Sequence, residues 1–185
     1  MTYNVVHRVS KWCLGLTVVV AVGACLKPGA LLALRAESCS SRAEVKALEY
    51  WLGHWRVTNP EAPAVSTSTS TVSLTLDTCL IVEDWNDGKG HVGKNLLAYS
   101  ADDKTWYGMF ADNHDRVHVF TDGTVSAGVA EFHGRSRGPD GGTVLHRVKV
   151  VRKAPDAVEQ TWEQSMDAGT SWKTVFRGEY TRANQ

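Results

Sequence analysis

Val144-Leu145-His146-Arg147-Val148-Lys149-Val150-Val151 alternates an apolar-plus-His face with one that carries Arg147 and Lys149 between Leu145 and Val151, and Ala154-Pro155-Asp156 follows it. A period of two closed by a Pro-Asp turn reads as a half-buried strand entering a hairpin. The same rhythm recurs along the chain. Val72, Leu74 and Leu76 alternate with Thr71, Ser73 and Thr75, while Trp172, Thr174, Phe176 and Tyr180 share one face against Lys173, Arg177, Glu179 and Thr181. Turn signals stand at Asn59-Pro60, Asn86-Asp87-Gly88, Asp102-Asp103, Asp112-Asn113, Asp122-Gly123, Pro139-Asp140-Gly141-Gly142 and Asp167-Ala168-Gly169. Together these predict about ten short antiparallel strands from Trp55 onward. The Ser and Thr alternation over 66–71 reads as solvent-facing strand or loop. One helix is expected, Arg42 to Leu52, with Val45, Leu48 and Leu52 inward, Ser40 or Ser41 as N-cap and Gly53 as the stop. No second helix of crossover length follows, which excludes a parallel βαβ sheet. Such a chain closes on itself or pairs two sheets.

The chain has 185 residues, the size of one ordinary domain, and its 20 basic and 20 acidic residues balance. A nucleic-acid binder would carry a basic surplus, so that class is excluded. The charge is unevenly placed. Residues 1–36 hold Arg8, Lys11, Lys27 and Arg35 and no acid, and an apolar run from Trp12 to Cys25 separates the inner two. A basic start, an apolar middle and small residues behind it form a secretory signal, and the run is shorter than the roughly 20 residues of a membrane span. We therefore expect export to the periplasm or medium, with 1–36 as signal and 37–185 as one mature domain. Two processing sites stay open. Val22-Gly23-Ala24-Cys25 has the form of a bacterial lipobox, with Cys25 bearing the lipid, and Ala36 offers an ordinary cleavage site before Glu37. The mature domain keeps Cys39 and Cys79, an even pair in an exported chain, and a disulfide is the default.

Ser165-Met166-Asp167-Ala168-Gly169-Thr170-Ser171-Trp172 matches the Asp-box pattern, in which Asp accepts turn N–H groups, Gly takes a positive φ and Trp covers the hairpin. It resembles the box of sialidase propellers, where it lies away from the active site; occurring once in so short a chain, it implies a hairpin and no chemistry. Ser100-Ala101-Asp102 before Trp106 looks like a shortened relative. Gly53-His54-Trp55 resembles the Gly-x-Trp signature of calycins, whose Trp plugs the closed end of a lipocalin-like barrel under an Arg from the last strand. That likeness implies Arg182, or less readily Arg177, on Trp55 through a cation–π contact. A longer likeness runs through Cys39, Leu48 to Trp55, Asp77-Thr78-Cys79, Glu83-Asp84-Trp85, Tyr99 to Trp106, Gln160 to Ser165, Trp172 and Phe176 to Arg182. On these residues, 39–185 resemble a family of exported, uncharacterised bacterial calycin-like domains. The resemblance implies an all-β, antiparallel up-and-down barrel of about ten strands with one short N-terminal helix, supports the Cys39–Cys79 bridge and brings no activity. Thr78 stands where that pattern has Gly, which implies a changed turn.

Six histidines lie after the signal. His114 and His118, four apart, would lie about 13 Å apart on a strand, too far to share a zinc ion, so no metal site is expected. His146 shares the apolar face of its strand, as a core histidine or as a polar anchor in a ligand cavity. The expected pocket face joins His146 to Gln160, Trp162, Gln164, Trp106 and Phe176, large apolar walls with a few polar groups. No phosphate loop and no His-Glu-x-x-His is present. Glu83 and Asp84 point to opposite faces of a strand and cannot flank one bond. Glu131 and Glu163 would act as a glycosidase pair only if tertiary structure joined them. The expectation is a binding protein that holds a small apolar or amphipathic ligand, with no cofactor and no enzyme indicated. The alternatives are a haem-binding barrel of nitrobindin type, with His146 or His118 as axial ligand, and a cell-envelope interaction module with a filled core.

Overall fold

Ten strands pair in chain order, and the last returns to the first. In the computed structural model, which describes residues 38–61 and 68–183, these are β1 (Gly53–Thr58), β2 (Ser68–Thr75), β3 (Leu80–Asn86), β4 (Val92–Ser100), β5 (Thr105–Asp112), β6 (Val117–Ser126), β7 (Val129–Arg137), β8 (Thr143–Ala154), β9 (Ala157–Ser165) and β10 (Lys173–Arg182). Every neighbouring pair is antiparallel, and β1 pairs with β10 with Trp55 opposite Arg182, so the sheet is a closed barrel with an up-and-down order. The expected signal over 1–36, with Cys25, lies outside the described residues. No helix among the described residues is long and apolar enough to cross a membrane.

Short helical turns form the floor of the barrel. The expected continuous helix is broken into a 3-10 turn at Cys39–Ser41, α1 (Ala43–Lys46) and a second 3-10 turn at Glu49–Trp51. The reason lies in the spacing of the buried side chains. Val45, Leu48 and Trp51 recur every three residues and are all buried, which suits three residues per turn better than 3.6. Arg42 stands at the N-cap without a side-chain bond, so neither Ser40 nor Ser41 serves there. Cys39–Cys79 ties the floor to the β2–β3 turn, and Ser40 N–H donates to Thr78 Oγ1 at 2.9 Å. In that turn Leu76, Asp77 and Thr78 all take positive φ, at 51°, 51° and 70°, a strained conformation for the β-branched Thr78.

Closure at the floor depends on one glycine. The Arg182 guanidinium lies 3.8 Å from the centre of the Trp55 ring and donates to the Leu52 and Tyr50 carbonyls. A Cβ on Gly53, at φ +122°, would collide with Arg182 Nη1, so any other residue there forces the guanidinium out of that stack and strains the backbone. Arg177 instead pairs with Glu159 on the outside, one of a set of cross-strand ion pairs with Glu131–Lys149, Arg147–Glu163 and Lys153–Glu159.

Three assignments change. Asp122-Gly123 is no turn: it lies inside β6 beside a bulge after Phe120, and Gly123 is there because Phe132 and Trp106 would meet its Cβ at 2.6 and 2.7 Å. The hairpin turns at Ala127-Gly128 instead, both at positive φ. A second bulge between Thr174 and Phe176 takes Trp172 and Thr174 off the face of Phe176 and Tyr180, and Trp172 packs outside, 4.3 Å under Arg147. Ser70, read as solvent-facing, is buried in the lumen.

Replacing Cys39 and Cys79 together by Ser removes a cross-link of sequence separation 40. Loop-closure entropy puts the loss of unfolding free energy at roughly 4 kcal/mol. Urea titration measures it, and a loss under about 1 kcal/mol would mean that the bridge does not anchor the floor.

Candidate functional site

The lumen is divided into a polar centre and an aromatic far end. At the centre, β3 turns Ile81, Glu83 and Trp85 inward, and Glu83 is 1% exposed. Its Oε1 accepts from Ser70 Oγ at 2.7 Å and its Oε2 from Asn95 Nδ2 at 2.6 Å. Tyr180 Oη lies 3.0 Å from Oε1 and also meets Gln160 Oε1. One phenol has one proton. When Tyr180 gives it to Gln160 Oε1, the Glu83 carboxyl must supply the proton of the Glu83–Tyr180 bond. Burial pushes the Glu83 carboxyl above its usual range, against the lowering by Ser70, Asn95 and Tyr180, and a neutral acid fits that count. Tyr180 is pushed up by the same burial and by Glu83. A cavity of about 10 Å³ adjoins this network, between Trp51 of the floor and Phe120.

The far end lies opposite the helical floor, where the β3–β4, β5–β6, β7–β8 and β9–β10 turns gather. There the inward residues are aromatic or imidazole. Phe110 meets Trp162 edge-on at 5.5 Å from β5 to β9, a contact that spans the lumen. Trp85 meets Phe176 at 6.3 Å in the same way from β3 to β10. His118 packs 4.7 Å from both Trp162 and His146. Trp162 Nε1–H donates to His146 Nδ1 at 3.1 Å, which leaves the imidazole proton on Nε2, bonded to Ser136 Oγ at 2.7 Å. Burial, with help from His118, lowers His146 to about 4, and burial with Arg116 lowers His118. Both rings are thus neutral near pH 7. Two atoms of this layer, Trp85 Nε1 and His118 Nδ1, are buried without a hydrogen-bond partner.

Above the layer, Asp112 collects His91 Nε2 at 2.9 Å, Arg116 Nε at 2.7 Å and the backbone N–H groups of His114 and Arg116. These bonds outweigh its burial and hold its carboxyl far below the usual range. His114 stacks on His91 at 4.4 Å and is not directed at His118. Among the described residues no three His, Cys, Asp or Glu side chains converge as a metal site would require.

Of the expected pocket face, His146, Trp162 and Phe176 meet in this layer, and Gln164 stands opposite His146 in register at the same end. Gln160 belongs to the central network. Trp106 lies at the floor end of β5, four residues or about 13 Å along the strand from Phe110, and packs on Tyr99. Asp167 and Gly169 make the β9–β10 turn, where Asp167 accepts Ser171 N–H at 2.8 Å, and Trp172 Nε1–H donates to the Gly169 carbonyl. In the shorter motif Ser100 pairs with Asp103, not Asp102. Glu131 and Glu163 sit outside in separate ion pairs. Sequence reasoning sets Glu83 aside as half of an acid pair with Asp84, reads Ser70 as solvent-facing and passes over Asn95. The signal was there in phase, since Glu83 stands two residues from both Ile81 and Trp85 on an inward face. No family model matches the chain, and no curated protein matches it significantly.

Glu83 sets a pH dependence of known sign. A carboxyl raised on folding contributes stability below its unfolded pKa, near 4.3, and that stability is lost as pH rises through the folded value. His146 acts oppositely, losing stability as pH falls from about 6.5 towards 4. Glu83→Gln removes the first effect alone. Denaturant titrations from pH 4.5 to 8 should show wild type losing stability relative to the variant as pH rises; a constant difference would mean the carboxyl is not raised.

Proposed function

We propose that this chain is an exported, calycin-like barrel protein that binds a small amphipathic molecule at the far end of the barrel, over the Trp85, Phe110, His118, Trp162 and Phe176 layer. The observation that carries the reading is the pair of buried, unpartnered ring nitrogens in that layer, Trp85 Nε1 and His118 Nδ1. A buried polar atom without a partner costs about 1–3 kcal/mol, and a ligand with a hydrogen-bond acceptor at its polar end recovers part of that. The aromatic faces around them take up the apolar body. Export rests on the acid-free, apolar N-terminal segment, and the Cys39–Cys79 disulfide is compatible with it.

The filled-core interaction module is the second reading. It is favoured by the central cavity, about 10 Å³ against the roughly 300–1,000 Å³ of ordinary ligand pockets. The haem reading falls to His118 alone, because both ring nitrogens of His146 are engaged.

Native mass spectrometry of the processed protein, recovered through an oxidising export route, should show a small-molecule adduct, and a Soret band would instead assign haem. In titrations with the fluorescent amphiphile 1-anilinonaphthalene-8-sulfonate, Trp85→Phe keeps a ring and removes the N–H donor. It should weaken binding roughly fivefold, the worth of about one hydrogen bond. Unchanged affinity together with a clean apo mass would favour the filled module.

A further inference from the structure

The small central cavity has chemistry of its own. Three polar side chains line it, Trp51, Asn95 and Gln160, and its other walls are Leu97, Phe120, Phe132, Val148 and Val150. Trp51 is 2% exposed, and its Nε1–H has no hydrogen-bond partner. Asn95 gives its Nδ2 to Glu83, which leaves its side-chain carbonyl; Gln160 accepts from Tyr180 through Oε1, which leaves its amide N–H groups. Free donors on Trp51 and Gln160 and a free acceptor on Asn95 therefore belong to residues bordering one cavity.

We propose that this cavity is the binding site of one internal water molecule, which accepts from Trp51 Nε1–H and the Gln160 amide and donates to the Asn95 side-chain carbonyl. The volume fits a single water, which needs about 10–15 Å³ by this measure, and about three hydrogen bonds are typical of buried waters. A larger organic ligand has no room. A dry cavity would leave the Trp51 donor unmet, at a cost of about 1–3 kcal/mol, and a metal ion would face N–H donors and a single oxygen. The water joins the floor, through Trp51, to the network of Ser70, Glu83, Asn95, Gln160 and Tyr180. It is thus a structural ligand of the barrel and does not depend on what binds at the far end.

A crystal structure of the processed protein, at a resolution that orders internal waters, tests this. The expected result is one density peak about 3 Å from Trp51 Nε1 and within hydrogen-bond distance of Asn95 and Gln160. An empty cavity, or a Trp51 N–H bonded to a protein group, overturns the proposal. In solution, a water-selective nuclear Overhauser experiment should give a cross-peak at the Trp51 indole proton and none at that of Trp55, whose N–H is already given to the Trp51 carbonyl. Absence of the Trp51 cross-peak also overturns it.

Discussion

The buried Glu83 carboxyl is the constraint around which the lumen is arranged. A carboxyl removed from water needs its hydrogen bonds supplied by the protein, and no Lys, Arg or His among the described residues pairs with this one. Its partners come from β2 in Ser70, β4 in Asn95 and β10 in Tyr180, with Gln160 of β9 behind Tyr180. A one-residue slip of any of these strands would turn its partner outward. The network therefore specifies register on both sides of the β1–β10 seam, where an up-and-down barrel is joined only by strand pairing.

Floor and far end follow from that polar centre. A ten-stranded barrel has a lumen wider than that of an eight-stranded one, so it must be filled or hold something. Below Glu83 it is filled by Leu48, Trp51 and Trp55, with Gly53 clearing the space in which Arg182 caps Trp55. Above Glu83 it is spanned by aromatic pairs whose polar atoms are incompletely matched. The two ends thus differ in kind. The floor gives its arginine and the Trp55 N–H to backbone carbonyls and leaves only the Trp51 N–H unmatched among its described residues, beside a cavity of one water's size, whereas the far end leaves both Trp85 and His118 unmatched in one aromatic layer.

Much of this was legible in the chain. Alternation in 144–151 placed Val144, His146, Val148 and Val150 on one buried face, and the turn signals gave the strand count. The Cys39–Cys79 bridge is the pairing expected from an even cysteine count in a chain read as exported. What escaped depended on tertiary contact. Bulges after Phe120 and Thr174 shift phase without a local signature, and Gly123 reads as a turn until Trp106 and Phe132 are seen against it. Trp106 and Trp162 look alike as inward aromatics, yet register places one near the floor and the other at the far end. Glu83 was judged as half of an acid pair with Asp84, and its partners lie up to 97 residues away in sequence.

The central claim is that any ligand meets the far-end aromatic layer while the polar centre and floor stay closed. The indole N–H resonances report on both ends separately. Spectra of the protein as isolated, and again after its small molecules are stripped by organic extraction and refolding, should differ at Trp85 and Trp162 and coincide at Trp51, Trp55 and Trp106. Shifts concentrated at Trp51, Trp55 or Trp106, or identical spectra from a protein that had carried an adduct, would contradict the account.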